Sequence, residues 1–283
     1  MEALRLFQQN FDVAQSLIQL YELFNGLKKI DLKEDLRLAL CTFWQAPDNT
    51  ALLPAINDRV ILMARAANPI PQTLILNGGL NFLLRQAVVV ACTALESFLW
   101  DSLRENVITI VKARRTGADE SLKNISFTLG DYISLQQYDD PDYRLQQIIL
   151  GNFKRGTLYN VESIEEITKI MTITKFWDRI EQNTGTPAKD LKGLIGELIT
   201  RRNQIAHRAD RPEGGEEADA HGLRPITIAW TNHRIQAAKT LVTAGADLIK
   251  EAMNRLKSDI EAAEEQKRAR DVLNQISKEV DRE

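Results

Sequence analysis

Ala87-Val88-Val89-Val90-Ala91-Cys92-Thr93-Ala94-Leu95-Glu96-Ser97-Phe98-Leu99-Trp100 is strand-like by propensity and helical by context. Its three consecutive valines favour a strand. Residues 80–115 around them contain no Gly or Pro, whereas strands usually run three to ten residues before a turn. The spacing predicts one long helix over 80–115, opened by the Asn77-Gly78-Gly79 break. Its first half is apolar nearly all round, as the central helix of a bundle must be. The longest apolar run, 87–95, falls well short of the ~20 residues that span a bilayer.

Working outward, the N-terminal segment places Leu4, Phe7, Phe11, Ala14, Ile18 and Tyr21 at spacings of three and four, one stripe of a helix. A second helix is expected over 32–45, with Asp31 as N-cap and Pro47 beyond its end. A third is expected over 53–67, ended by Pro69 and Pro71. Short helices are expected at 129–135 and 143–151, and a firmer one at 163–183. Thr186-Pro187 has the form of an N-cap followed by the first helical residue, predicting a helix over 187–208. A polar, mobile loop is expected at 209–225, then an extended segment at 225–230. A last helix, capped by Thr231, carries Gly245 on its apolar stripe, where a neighbouring helix could approach closely. Its 4-3-4-3 spacing from Ile249 to Ala263 lasts two heptads, too few for a coiled coil, and a dimer contact is the sharper alternative.

Composition agrees with helices. The chain has 283 residues, 44% hydrophobic and 27% charged, with only 14 Gly and 8 Pro. That is too little turn punctuation for a sandwich or a doubly wound sheet. The net charge of -3 argues against a surface coated for duplex DNA but leaves room for a local basic site. Cys41 and Cys92 sit in apolar helical patterns and are expected to be buried free thiols. Two Cys and three His, far apart, offer no zinc-ligand spacing, so no metal and no cofactor is expected. The N-terminus turns polar at Gln8-Gln9-Asn10, giving no signal-peptide core, and a cytoplasmic location without membrane contact is expected.

One polar cluster stands out: Arg201-Arg202-Asn203-Gln204-Ile205-Ala206-His207-Arg208, at the end of a firmly expected helix. Histidine has the unperturbed pKa nearest neutrality and suits acid–base work. Arginine presents a planar fork that matches phosphate oxygens. Arg201, Arg202, Arg208 and Arg211 make a positive patch that draws a phosphodiester. Asn203 and His207, four apart, share a helix face; Arg202 and His207 point about 140° apart around the axis. Arg202 must reach around, the helix end must loosen, or a second protomer must bring the groups together. With this chain's counts of Arg, Asn and His, Arg-Asn at one fixed spacing before a His is expected by chance about 0.01 times. The same residues would also suit a solvated helix end. His221 and His233 lack the preceding Arg-Asn and are expected at the surface. Phe98, Trp100, Phe176 and Trp177 are expected in the core. Lys28-Lys29 and Arg114-Arg115 are too short to be nucleic-acid patches.

Arg202-Asn203-x-x-x-His207 on the penultimate helix resembles the signature of the HEPN domains (higher eukaryotes and prokaryotes nucleotide-binding). The helix at 83–107, with Ala94-Leu95-Glu96-Ser97-Phe98-Leu99, resembles the earlier core helix of the RiboL-PSP type, and 155–179 followed by the Thr186-Pro187 helix fits it too. The resemblance covers about 78–255. It implies an all-α HEPN-type bundle at 78–260, with an N-terminal helical extension at 1–77 and a charged helical tail at 261–283.

It further implies RNA as substrate, a homodimer that brings two motifs into one cleft, and cleavage without a metal. Arg202 would stabilise charge on the phosphorane. His207 would deprotonate the ribose 2′-hydroxyl or protonate the leaving oxygen, and Asn203 would position phosphate or His207. Glu96 would orient Arg202, or would only satisfy a buried arginine. Arg201, an alternative register for Arg202, would join Arg208 and Arg211 in binding RNA. Products would carry 2′,3′-cyclic phosphate and 5′-hydroxyl ends, because the RNA supplies its own nucleophile in near-attack geometry. Stress response, toxin–antitoxin control or antiphage defence, with an antitoxin or defence partner protein, would be the setting. The alternatives are a non-catalytic interaction or nucleotide-binding module of the same fold and a purely structural helical dimer.

Overall fold

Helix α1, Glu2–Asn25, buries the stripe expected from sequence, moved by one residue at its start: Ala3, Phe7, Phe11, Ala14 and Ile18. The computed structural model describes residues 1–25, 34–47, 51–54, 61–64, 78–113, 125–152 and 160–280. Asp31, Lys28-Lys29, Pro69, Pro71, Asn77, Arg114-Arg115 and Arg155 lie outside the described residues. Helix α2 spans Glu34–Phe43, and Cys41 on it is a buried free thiol, as is Cys92.

Where the expected third helix, 53–67, falls on described residues, those residues are strand. Ala51–Pro54 (β1) and Ile61–Ala64 (β2) pair instead as an antiparallel two-stranded ribbon, with Leu52 opposite Met63 and Leu53 opposite Leu62. Ile61 carries the β-branched preference for a strand.

Helix α3, Asn81–Lys112, is the long core helix. Leu84, Ala87, Val88, Ala91, Cys92, Leu95, Phe98, Leu103 and Val107 are all buried on it, so burial overrides the strand preference of the valines. Gly78 opens it with φ +78, where a Cβ would also meet the Asn81 side chain at 3.0 Å. This helix is long and apolar enough to cross a membrane, but 61% of its most apolar window is buried inside the protein, the pattern of a core helix.

Helices α4 (Leu129–Gln137) and α5 (Pro141–Asn152) follow. The single helix expected over 163–183 is two: α6, Glu162–Ile170, and α7, Phe176–Thr184. Met171 and Ile173 lie about 160° apart around a helix, so no one face could bury both. Left-handed backbone at Thr172 and Lys175 breaks the helix here, and Met171 and Ile173 are both buried. Helix α8 spans Ala188–Arg208; the Glu181 carboxylate accepts the Ala188 N–H at its start, 2.9 Å away. Helix α9, Ile228–Val280, begins three residues before the expected cap. Thr227 is the capping residue: its hydroxyl accepts the Trp230 N–H and its carbonyl the Thr231 N–H. Gly245 receives the Phe176 ring, 3.6 Å from where a Cβ would stand, as its place on the stripe suggested. Phe98, Phe176 and Trp177 are core residues, and Trp100 is half-buried. From Lys257 onward the described part of α9 is almost wholly exposed.

The helical class therefore holds, with the ribbon as its exception among the described residues. The chain forms two compact units that do not follow chain order: 1–7, 94–196 and 237–283 make one, and 8–93 with 197–236 the other.

Candidate functional site

The buried face of α8 runs Leu191, Ile195, Leu198 and then Arg202, at spacings of four, three and four. Arg202 thus occupies a core position; it is 6% exposed and engaged in the fold. Asn203 is half-buried, and its Oδ1 is buried with no hydrogen-bond partner among the described residues. His207 is exposed, one turn beyond Asn203 on the same side. The helix stays regular through Arg208, so its end does not loosen to bring Arg202 and His207 together. One faces the core and the other solvent. Glu96 is half-buried on the part of α3 that belongs to the first unit, whereas Arg202 belongs to the second.

Arg208 and Arg211 are exposed near the end of α8. Arg208 pairs with Glu213, and both are about 60% exposed. A surface pair of this kind is worth only about 0–1 kcal/mol, so an incoming phosphate can replace the glutamate. Arg201 is placed differently. Its Nη2 donates to Asp210 Oδ2 at 2.9 Å and to the carbonyls of Arg224 and Pro225 at 2.8 and 3.1 Å. It also lies 5.7 Å from the centre of the Trp230 ring, which Arg234 approaches to 4.7 Å. Burial pushes the Arg201 guanidinium below its ordinary pKa; Asp210 opposes that, and Arg85 and Arg224 add to it. This arginine holds the protein's own backbone.

The loop after α8, expected to be mobile, is anchored by ion pairs among residues of the second unit. Arg85 donates from Nε to Asp210 Oδ2 at 2.5 Å, and from Nη2 to Asp219 Oδ2 at 3.0 Å and the Arg224 carbonyl at 2.8 Å. Arg224 pairs with Glu216 at 2.7 Å. The Asp219 carboxylate also accepts the backbone N–H groups of His221 and Leu223. Burial raises its pKa, but these hydrogen bonds and Arg85 together outweigh it and hold the group below its ordinary value. The exposed charges near His207 are thus Arg208, paired with the equally exposed Glu213, and Arg211, while Asp210, Asp219 and Glu216 of the loop are committed to arginines.

Sequence reasoning missed Arg85, Asp210, Asp219 and Arg224. One signal was there: Arg85 is a lone charge in the apolar run Phe82-Leu83-Leu84-Arg85-Gln86-Ala87-Val88, and such a charge must find a buried counter-ion. His221 and His233 are exposed, as expected. Among the described residues, no three His, Cys, Asp or Glu side chains come together as a metal site. A pocket of about 160 Å³ lies in the first unit, lined by Trp177, Lys192 and Glu165 among others, and none of the predicted site residues lines it.

Residues 55–236 match the family model described as RiboL-PSP-HEPN. The chain belongs to that family. No curated protein and no solved structure matches it. The matched span of this HEPN chain contains α3 and α8, the two helices that carry Glu96 and the Arg202-Asn203-x-x-x-His207 motif. It begins earlier than the residue 78 suggested by the sequence resemblance, taking in β2, and ends at 236, near the start of α9.

Proposed function

We propose that this HEPN protein is an RNA endonuclease whose working face is the C-terminal turn of α8. The observation that carries the reading is the exposure of His207 one turn beyond Asn203, with Arg208 and Arg211 exposed beside it. An imidazole, an amide and two guanidinium groups are what a phosphodiester requires. Arg202, set in the core face below, supplies a fixed positive charge. A fixed cation in a low-dielectric setting favours the phosphorane without reorganising.

One His207 serves one step of the reaction, and cleavage has two proton transfers. A homodimer brings a second α8 end, so that one His207 takes the proton of the ribose 2′-hydroxyl and the other gives a proton to the departing 5′ oxygen. The 2′ oxygen bonds to phosphorus as the bond to the 5′ oxygen breaks, leaving a 2′,3′-cyclic phosphate and a 5′-hydroxyl. The nucleophile belongs to the RNA, so the chemistry runs without a metal. Such an enzyme endangers the cell that makes it, which suits stress response, toxin–antitoxin control or antiphage defence under a restraining partner protein.

The test is cleavage of structured and single-stranded RNAs in EDTA by the purified full chain, His207→Ala and Arg202→Lys. The expected result is cleavage by the wild type, a loss of at least about 100-fold in His207→Ala, and a smaller loss in Arg202→Lys. Equal activity in His207→Ala would refute the assignment.

A further inference from the structure

Ala209 and Asp210, the two residues after α8, both have left-handed backbone, with φ +50 and +59. The Asp210 N–H reaches back to the Gln204 carbonyl at 3.1 Å, six residues earlier. That bond reaches one residue further back than the closing bond of a Schellman turn, and at such helix ends the left-handed position normally holds Gly. Here alanine holds it, and a non-glycine residue follows in the same region. Strained backbone of this kind persists only where its surroundings fix it.

The fixing group is the Asp210 carboxylate, which is wholly buried. Its Oδ2 takes Arg85 from α3 and Arg201 from α8 at 2.5 and 2.9 Å. Its backbone carbonyl takes the Arg224 N–H at 2.9 Å. His207 lies in the last turn of α8, one residue before its end, and the bond made by the Asp210 N–H spans it. The orientation of the His207 backbone therefore depends on a buried carboxylate three residues away that has no contact with solvent.

We propose that Asp210, clamped by Arg85 and Arg201, is the positioning residue for His207. It keeps the last turn of α8 wound so that the imidazole is presented in one orientation. This rests on the nuclease reading for its catalytic consequence but not for its structural one. The clamp also accounts for why Arg201, next to the motif arginine, is spent on the fold rather than offered to RNA.

The experiment uses the full chain with Asp210→Asn, Arg85→Lys and, as a control, Lys112→Gln, whose exposed pair with Asp142 lies in the other unit. Two readouts are taken: kcat and KM for RNA cleavage in EDTA, and the imidazole NMR resonances of His207 and His233. In Asp210→Asn, kcat is expected to fall 10- to 100-fold with KM within threefold. The His207 resonance should shift or broaden while that of His233 stays. Arg85→Lys keeps the cation but loses the two-pronged contact, so a smaller change of the same kind is expected; it carries the test should Asp210→Asn fail to fold. Lys112→Gln should match the wild type in both readouts. An unchanged His207 resonance in a folded Asp210→Asn or Arg85→Lys overturns the proposal, as does an unchanged kcat where the wild type is active. A wild type inert on RNA, with His207 still perturbed in the variants, would refute the nuclease reading and leave the clamp standing.

Discussion

Removing Asp210 should destabilise the protein more than removing any other member of the loop cluster. The Asp210 side chain is 1% exposed, and its partners Arg85 and Arg201 are 9% and 12% exposed. Deleting one partner of a buried ion pair costs about 3–5 kcal/mol, because the other charge is stranded. Asp210→Ala strands two. Both arginines keep backbone carbonyls, and Arg85 keeps Asp219, so a middle value of about 4 kcal/mol follows. Arg85→Ala leaves Asp210 with Arg201, and Asp219 with two backbone N–H groups, which brings the cost to about 2–3 kcal/mol. Asp219→Ala removes only one of three polar contacts of Arg85, at about 1–2 kcal/mol. At an unfolding entropy of about 2.1 cal/mol/K per residue, 283 residues give about 0.6 kcal/mol/K. The three variants should therefore lower Tm by about 7, 4 and 2 °C in that order. Thermal unfolding followed by far-UV circular dichroism at pH 7 measures this. A larger loss in Asp219→Ala than in Asp210→Ala, or three shifts within 1 °C of wild type, would refute the reasoning.

Further outcomes follow from the same geometry. Ala209→Gly should raise Tm by about 2 °C, because glycine removes roughly 1 kcal/mol of left-handed strain; a lower Tm in calorimetry would contradict it. The Asp219 carboxylate titrates below its unfolded value of about 3.9, so its stabilising contribution is present above that pH and lost as pH falls through the folded value. Asp219→Asn should therefore lose less urea stability relative to wild type at pH 3 than at pH 7, and an equal gap at both would count against the assignment. Arg208→Ala and Arg211→Ala should each reduce the slope of log K against log salt for single-stranded RNA binding by about 0.7, measured by fluorescence anisotropy.

Much of the fold is legible in the chain. The α1 stripe and the central helix α3 follow from apolar spacing and from the lack of Gly and Pro. Local spacing left two elements undecided. Residues 53–67 carry enough apolar content for a helix, yet part of them pairs as a ribbon, and periodicity alone cannot separate these for a short run. The break at Met171–Lys175 exists because two neighbouring apolar residues both find burial, which the chain alone does not announce. Of the proposed site, the motif on α8 and its positive surroundings could be found from spacing. The division of labour among the arginines could not. Arg201, Arg202 and Arg208 lie within eight residues, but one holds the loop, one sits in the core face and one faces solvent. The apolar spacing of α8 places Arg202, but the role of Arg201 depends on Asp210, whose other partner Arg85 is more than a hundred residues away.

The central claim is that the exposed end of α8 cleaves RNA through His207. The most direct measurement incubates a 5′-labelled RNA with the wild-type full chain in EDTA, alongside His207→Ala, and maps the chemistry of the new ends. The wild type should give 2′,3′-cyclic phosphate and 5′-hydroxyl ends, and His207→Ala none. Products with 3′-hydroxyl ends, or the same products from both proteins, would contradict it.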